Sequence, residues 1–223
     1  MKQILLLTSA LALGTVLQAA EEPHFLPPGD LIENTGSGVS DPTVFFPGLR
    51  FPLESGPAYA NSHAYSPGGF KGGGGDECDA VNYSYPWRDN FCEFRRSDIP
   101  ACASGGHQGQ DIRPATCEAG KHWAVATEDA VVAHVGRFAV TLQSASGTLY
   151  RYVHLDMDSL QVAPMDRVKS GDRIGTVSNS WLSDLPVHLH FDVKDVIFAD
   201  GKAQAVFLPP YSSLVAAYKA LDQ

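Results

Sequence analysis

Apolar and polar positions change texture several times along the chain. After Lys2 come apolar runs from Ile4 to Leu7 and from Ala10 to Leu17, closed by Ala19-Ala20 and then Glu21-Glu22. A basic start, a short greasy stretch and small residues at its end read as a secretory signal peptide over residues 1–20. The run is interrupted by Thr8, Ser9 and Thr15, so it falls short of the roughly 20 apolar residues a membrane span needs. Residues 21–75 show no period at all, and 8 prolines and 11 glycines lie among them. Such a stretch is irregular. Phe45, Phe46, Phe51, Tyr59, Tyr65 and Phe70 give it aromatic anchors, so it reads either as a strap over the following domain or as a loose leader. Residues 76–105 set Tyr83, Tyr85, Trp87 and Phe91 between cysteines and read as a pinned entry loop.

From residue 122 the pattern becomes short β-branched apolar runs separated by turn residues: 122–127, 130–135, 138–143, 149–155, 172–177 and 187–193. These predict closely spaced strands, with Ser146-Gly147 and Ser170-Gly171-Asp172 as turns. No helical period longer than three turns interrupts them, so an antiparallel β-domain is expected. Only residues 212–221 place Leu214, Val215, Tyr218 and Leu221 on one helical face, predicting a short closing helix. The organisation expected is a signal peptide over 1–20, a Pro/Gly-rich leader or strap over 21–75, and a β-rich domain over 76–223. A chain of 223 residues, 44% hydrophobic and 18% charged, supports one core of that size and not several.

Charge and cysteines narrow the setting. Loss of Lys2 with the leader leaves 15 basic against 25 acidic side chains, a net charge of −10. That disfavours nucleic acid as a partner. Cys78, Cys92, Cys102 and Cys117 are an even set with no CxxC knuckle, which in an exported chain reads as two disulfides. Three connectivities are open, and ease of closing short loops favours Cys78 with Cys92 and Cys102 with Cys117. The expectation is a periplasmic or secreted protein without a membrane span, monomeric by default.

The candidate chemistry lies in histidines. His107-Gln-Gly-Gln-Asp111 follows Gly105-Gly106 and precedes Pro114, which excludes a regular helix, so His107 and Asp111 must converge through a bend. An imidazole and a carboxylate so placed suit a zinc-like divalent ion. In Val187-His-Leu-His-Phe191 the alternation of a strand puts His188 and His190 on one face and Val187, Leu189 and Phe191 on the other. Tyr152-Val-His154-Leu155 repeats the pattern, with Tyr152 and His154 expected on a common face. Four histidines and an aspartate exceed the three protein ligands of a catalytic zinc. The surplus imidazoles are then free to move protons or stabilise an oxyanion, as hydrolysis of an amide or ester requires. His24, His63, His122 and His134 read as ordinary surface or hydrogen-bonded residues.

In this order, His107-Gln-Gly-Gln-Asp111-Ile112, Tyr152-Val-His154-Leu155, Gly171-Asp172-Arg-Ile174-Gly175 and His188-Leu-His190-Phe191 resemble the lysostaphin/LytM-type zinc endopeptidases over about residues 104–195. The resemblance implies a small antiparallel β-fold with a groove over one sheet. It also implies one zinc ion held by His107, Asp111 and His190, with His154 and His188 as the catalytic histidines. The implied substrate is a peptide cross-link or stem of bacterial peptidoglycan. Relatives that only regulate other wall hydrolases supply the alternative of a non-catalytic regulator, against which stands the presence of all five polar residues. The chain departs from the family at Ser180–Leu185, where a glycine- and threonine-rich loop is usual, at Met165, where a glycine is common, at Cys117, and at Asp192, which replaces a glutamate and is given no functional reading. A family leader often covers the zinc, a role that Asn61 or His63 would have to fill here; the other reading of that segment is a plain spacer.

Overall fold

The computed structural model describes residues 22–95, 102, 106–181, 185–199 and 201–221. The expected signal peptide lies outside them, as do Leu182–Asp184 of the divergent loop. Among the described residues the strands are β1 (Tyr59–Ala60), β2 (Gln110–Arg113), β3 (Trp123–Val125), β4 (Ala130–Val135), β5 (Ala139–Ser144), β6 (Leu149–Val153), β7 (Leu155–Asp156), β8 (Arg167–Val168), β9 (Arg173–Val177), β10 (Leu189–Ala199) and β11 (Lys202–Leu208), and one α-helix, α1, spans Tyr211–Leu221. The larger sheet runs β1-β2-β10-β6-β5-β4-β8, with β11 also paired to β10, and a smaller one runs β3-β9-β7. Every ladder is antiparallel, so the mainly β expectation holds.

The alternation that predicted strands also sets their faces. Val140 and Leu142 of β5, Tyr150 and Tyr152 of β6, and Leu189, Phe191 and Val193 of β10 are all buried in one core. Four strands, β1, β2, β8 and β11, escaped the sequence pattern. The four residues of β2 are mostly polar and all buried, because the strand is covered on both faces and so carries no alternation. The hairpin of β10 and β11 extends past Val193, pairing Val193 with Leu208 through to Ala199 with Lys202. A further difference is at residue 154, where the expected continuous strand breaks into β6 and β7.

The Pro/Gly-rich segment lies on the domain and supplies part of its core. Phe51 and Trp87 are fully buried, and with Tyr218 of α1 they form an aromatic cluster with centroids 4.5–5.7 Å apart. The Trp87 indole donates to the Ala58 carbonyl (2.7 Å), β1 pairs with β2, and Leu53 bridges to Ala124. The Tyr211 hydroxyl of α1 donates to the carbonyls of Leu26 and Trp87. Helix, sheet and strap thus share one hydrophobic interior.

The disulfides correct the short-loop pairing: they join Cys78 to Cys117 and Cys92 to Cys102. The first closes a separation of 39 residues. Closure entropy grows only by about 0.6 kcal/mol per doubling of loop length, a small term beside the β1–β2 pairing. That pairing carries the strap to the end of β2, where Arg113 donates to the Glu77 carbonyl, and Cys117 lies just beyond. Among the described residues no helix is long and apolar enough to cross a membrane.

If the strap is part of the core, Phe51→Ala should destabilise the whole domain by about 3–5 kcal/mol, the usual cost of emptying a buried aromatic site. Denaturant unfolding followed by tryptophan fluorescence measures it, and a loss below about 1 kcal/mol would mean that the strap sits loosely on an independent domain.

Candidate metal and catalytic site

The register of the central strands builds the site. In the β2–β10 ladder Asp111 stands opposite His190, so a carboxylate and an imidazole project together from neighbouring strands. His107 reaches them from the bend before β2: its Nε2 lies 2.8 Å from His190 Nδ1 and 3.1 Å from Asp111 Oδ1. His190 Nδ1 is 3.2 Å from the same oxygen. His188, immediately before β10, turns its Nε2 to within 3.6 Å of Asp111 Oδ1. The five residues expected to share a site are therefore brought together, with His154 and His188 rings 4.5 Å apart and His154 6.4 Å from His190.

His154 arrives by a different route from the one the strand pattern predicts. It does not share a face with Tyr152, whose ring is buried in the core with its hydroxyl hydrogen-bonded to Thr127. Instead His154 has φ 67°, and this left-handed residue interrupts the strand. The kink swings the imidazole out of the core towards His188. A left-handed conformation costs a non-glycine residue on the order of 1–2 kcal/mol, a strain held by the β7–β9 pairing and by the Ser178 amide and hydroxyl, both of which donate to the His154 carbonyl.

Each imidazole is oriented by a partner on its far side. Nδ1–H of His107, His154 and His188 donates to the carbonyls of Asn90 (2.8 Å), Ser180 (3.0 Å) and Pro186 (2.6 Å). His190 uses Nε2–H, which donates to Asp192 (3.0 Å), and Arg151 pairs with the same carboxylate oxygen. A carbonyl or carboxylate can only accept, so these bonds assign the tautomers. In their neutral forms Nε2 of His107, His154 and His188 and Nδ1 of His190 are bare lone pairs. Asp192 thus has a role that the sequence reading did not give it.

Burial controls the charges. It pushes His107 down to about 4, with the Asp111 attraction only partly opposing, and holds His154 and His188 well below the ordinary imidazole value. For His190 burial is outweighed by hydrogen bonds to Asp111 and Asp192, which raise it. Asp111, with its side chain fully buried, would also be raised by burial, yet His107, His63 and Arg95 hold it well below the usual carboxylate range.

Lone pairs of His107 and His190 and an oxygen of Asp111 thus converge within 2.8–3.2 Å without enough protons to separate them. With His190 neutral, three acceptors face one another there, an arrangement that a cation satisfies. Their spacing approaches the edge of a tetrahedron with metal–ligand bonds of about 2.0–2.1 Å, and two nitrogens with one oxygen are a zinc-type donor set. Among the described residues the buried Nε2 of His188 has no hydrogen-bond partner. His107, Asp111 and His190 fit a metal ion; so, by distance alone, do His63, Asp111 and His188.

Sequence reading passed over Arg95 at this site and named His63 only as one of two leader residues to cover the metal. His63 Nδ1 lies 2.7 Å from Asp111 Oδ2, and its ring stacks on His188 at 4.2 Å. Arg95 Nη2 donates to the same Asp111 oxygen at 2.6 Å. Asn61 points elsewhere, accepting from Arg113 and donating to the Asn82 carbonyl. From the divergent loop Trp181 packs edge-on against His154 at 5.6 Å and remains 45% exposed. Trp181 also lines a cleft with Phe138 and Arg137.

Residues 105–205 match the model of peptidase family M23. No protein of curated function matches the chain. Among solved structures the chain is similar to a candidate glycyl-glycine endopeptidase, LytM, from Ruminococcus gnavus: 26% identity over 50% of this chain and 47% of that one, TM-score 0.42. It is also similar to the catalytic domain of lysostaphin from Staphylococcus simulans, at 24% identity over 49% and 85% of the two chains and TM-score 0.36. A zinc-containing peptidase from Vibrio cholerae gives 24%, 45%, 31% and 0.34 in the same terms. The chain thus spans about half the length of the first of these.

The kink at residue 154 can be checked without reference to activity. His154→Gly should unfold at higher denaturant than His154→Ala, by on the order of 1 kcal/mol, because glycine takes the left-handed conformation without strain and this exceeds its unfolded-state entropy cost. An alanine variant as stable as the glycine variant would mean that residue 154 is not held left-handed in solution.

Proposed function

Taking the M23 match over residues 105–205 as its premise, we propose that the chain is a zinc-dependent endopeptidase of the lysostaphin/LytM type that hydrolyses peptide bonds in peptidoglycan. The observation that carries this reading is the convergence of His107, Asp111 and His190 on one point, with two further neutral imidazoles beside it. In this assignment His107, Asp111 and His190 hold the ion, and His154 and His188 do the proton chemistry. Zinc bound there supplies Lewis acidity towards a water and a scissile carbonyl.

The chain's own residues account for the rest. His154 and His188 are neutral, and their Nδ1–H groups are tied to backbone carbonyls, so each presents a bare Nε2 that accepts a proton. The imidazole that accepts one becomes a donor at the same atom, suited to hydrogen bond the developing oxyanion or to protonate the leaving amine. His188 is fully buried, whereas His154 keeps a small exposed fraction and packs against Trp181, which lines the cleft. Water activation therefore falls to the imidazole nearer solvent, His154, and the enclosed His188 serves the tetrahedral intermediate. Two disulfides suit an oxidising compartment outside the cytosol, which is where the proposed substrate lies.

The test is digestion of purified peptidoglycan with the zinc-loaded chain, with released fragments identified by mass spectrometry. His107→Ala and Asp111→Ala should lose zinc and hydrolysis together. His188→Ala should retain zinc while turnover falls by about 10²–10⁴-fold, the usual share of a proton-transfer group. New peptide termini absent from the His188→Ala digest establish the endopeptidase. Zinc bound with the fold intact but no fragments from any wall type would instead favour a non-catalytic regulator.

A further inference from the structure

Asp111 has two carboxylate oxygens, and the structure treats them differently. Oδ1 faces His107 and His190. Oδ2 faces the strap and takes two donors, Arg95 Nη2 at 2.6 Å and His63 Nδ1 at 2.7 Å. His63 Nδ1 also lies 3.1 Å from Arg95 Nη1, and the shorter 2.7 Å contact to the carboxylate assigns its proton to the Asp111 bond, since a bare nitrogen and a carboxylate oxygen at that distance would repel. Two donors saturate the lone pairs of Oδ2, leaving a single oxygen for a metal. Arg95 also settles the second cluster of His63, Asp111 and His188: its guanidinium already puts a fixed positive charge against the oxygen that a second ion would need.

Both donors are themselves held. The same Nη2 of Arg95 lies 2.6 Å from Glu93 Oε2, and the Ser62 hydroxyl donates to that oxygen at 2.8 Å. The Phe94 amide donates to the Thr35 carbonyl and Gly36 bridges to Glu93, so the backbone on either side of Glu93 is anchored in the strap. His63 lies face to face with His188, with 23° between the ring planes. One strap imidazole therefore touches a candidate ligand and backs a candidate catalytic histidine.

We propose that Arg95 and His63 are positioning residues of the metal site, which cap Oδ2 of Asp111 so that it binds through Oδ1 alone and, through His63, fix the plane of the His188 ring. The inference rests on the metal-site reading above. It makes residues outside the matched 105–205 region part of the working site, so that the strap is a structural wall and not a detachable cover.

The test uses the full chain with zinc, and with Co²⁺ as a spectroscopic probe. His63→Phe keeps a flat ring against His188 and removes the donor, while His63→Gln keeps a donor and removes the ring. Arg95→Lys keeps the charge but loses the planar fork. Zinc affinity by chelator competition should fall on the order of 10–100-fold in His63→Phe and Arg95→Lys and less in His63→Gln. The visible Co²⁺ bands of the first two should weaken and shift as the freed Oδ2 enters the coordination sphere. Melting of the metal-free variants serves as the fold control, and His63→Gln keeps the question open to measurement should Arg95→Lys fail to fold. Parent-like affinity and Co²⁺ bands in folded His63→Phe would overturn the proposal. So would faster hydrolysis by His63→Phe at unchanged affinity, the signature of a cover. Undiminished zinc binding by His107→Ala would bring down the metal-site reading and this inference with it.

Discussion

A fully buried carboxylate is costly unless every lone pair is met, and Asp111 is the point at which this protein meets that cost. Its neighbours come from separate parts of the chain: His107 from the bend before β2, His190 from β10, His63 from the strap and Arg95 from the entry loop that follows it. None of these groups needs to be where it is for the sheet to close. His63 and Arg95 donate to Oδ2, while Oδ1 is left facing His107 and His190, so the buried charge organises the site and ties the strap to the sheet.

The imidazoles obey a second constraint. An unanchored histidine ring can flip or change tautomer, and a site of several histidines works only if each presents the right nitrogen. Here the anchors are backbone carbonyls of Asn90, Ser180 and Pro186 and the Asp192–Arg151 pair. Two lie on loops whose course is set elsewhere. Asn90 lies between the buried Trp87 and the Cys92–Cys102 disulfide, and Pro186 immediately precedes Val187 at the edge of the core. Packing of ordinary hydrophobic residues thereby fixes which nitrogen faces inward.

These dependencies explain what was legible in the sequence. Strands β5 and β6 follow alternation that can be read locally, β4 and β9 are short β-branched runs bounded by turn residues, and the convergence of His188 and His190 needs only the two-residue period of a strand. Three features resist local reading. The strand β2 is polar and doubly buried, so no period marks it. His154 depends on a left-handed residue with no glycine to signal it. Arg95 and His63 act across long separations through strap pairing, and nothing near either residue distinguishes it from a surface arginine or histidine. The disulfides fall in the same class, since the partner of Cys78 is decided by the β1–β2 pairing and not by nearness in sequence.

The same geometry couples the metal to the fold. Without a cation, bare nitrogens of His107 and His190 and the Asp111 oxygen face one another at close range, and a proton held on His190 relieves only part of the repulsion. The native state therefore keeps an electrostatic debt that an unfolded chain, with these groups apart in water, does not carry. Binding an ion removes that debt in the folded state alone, so metal affinity and folding stability rise together. Arg95 sets how far this goes, because its charge offsets part of the Asp111 carboxylate from behind. It lets the acceptors stay assembled before an ion arrives, and it leaves Oδ1 as the one oxygen with charge still to be satisfied.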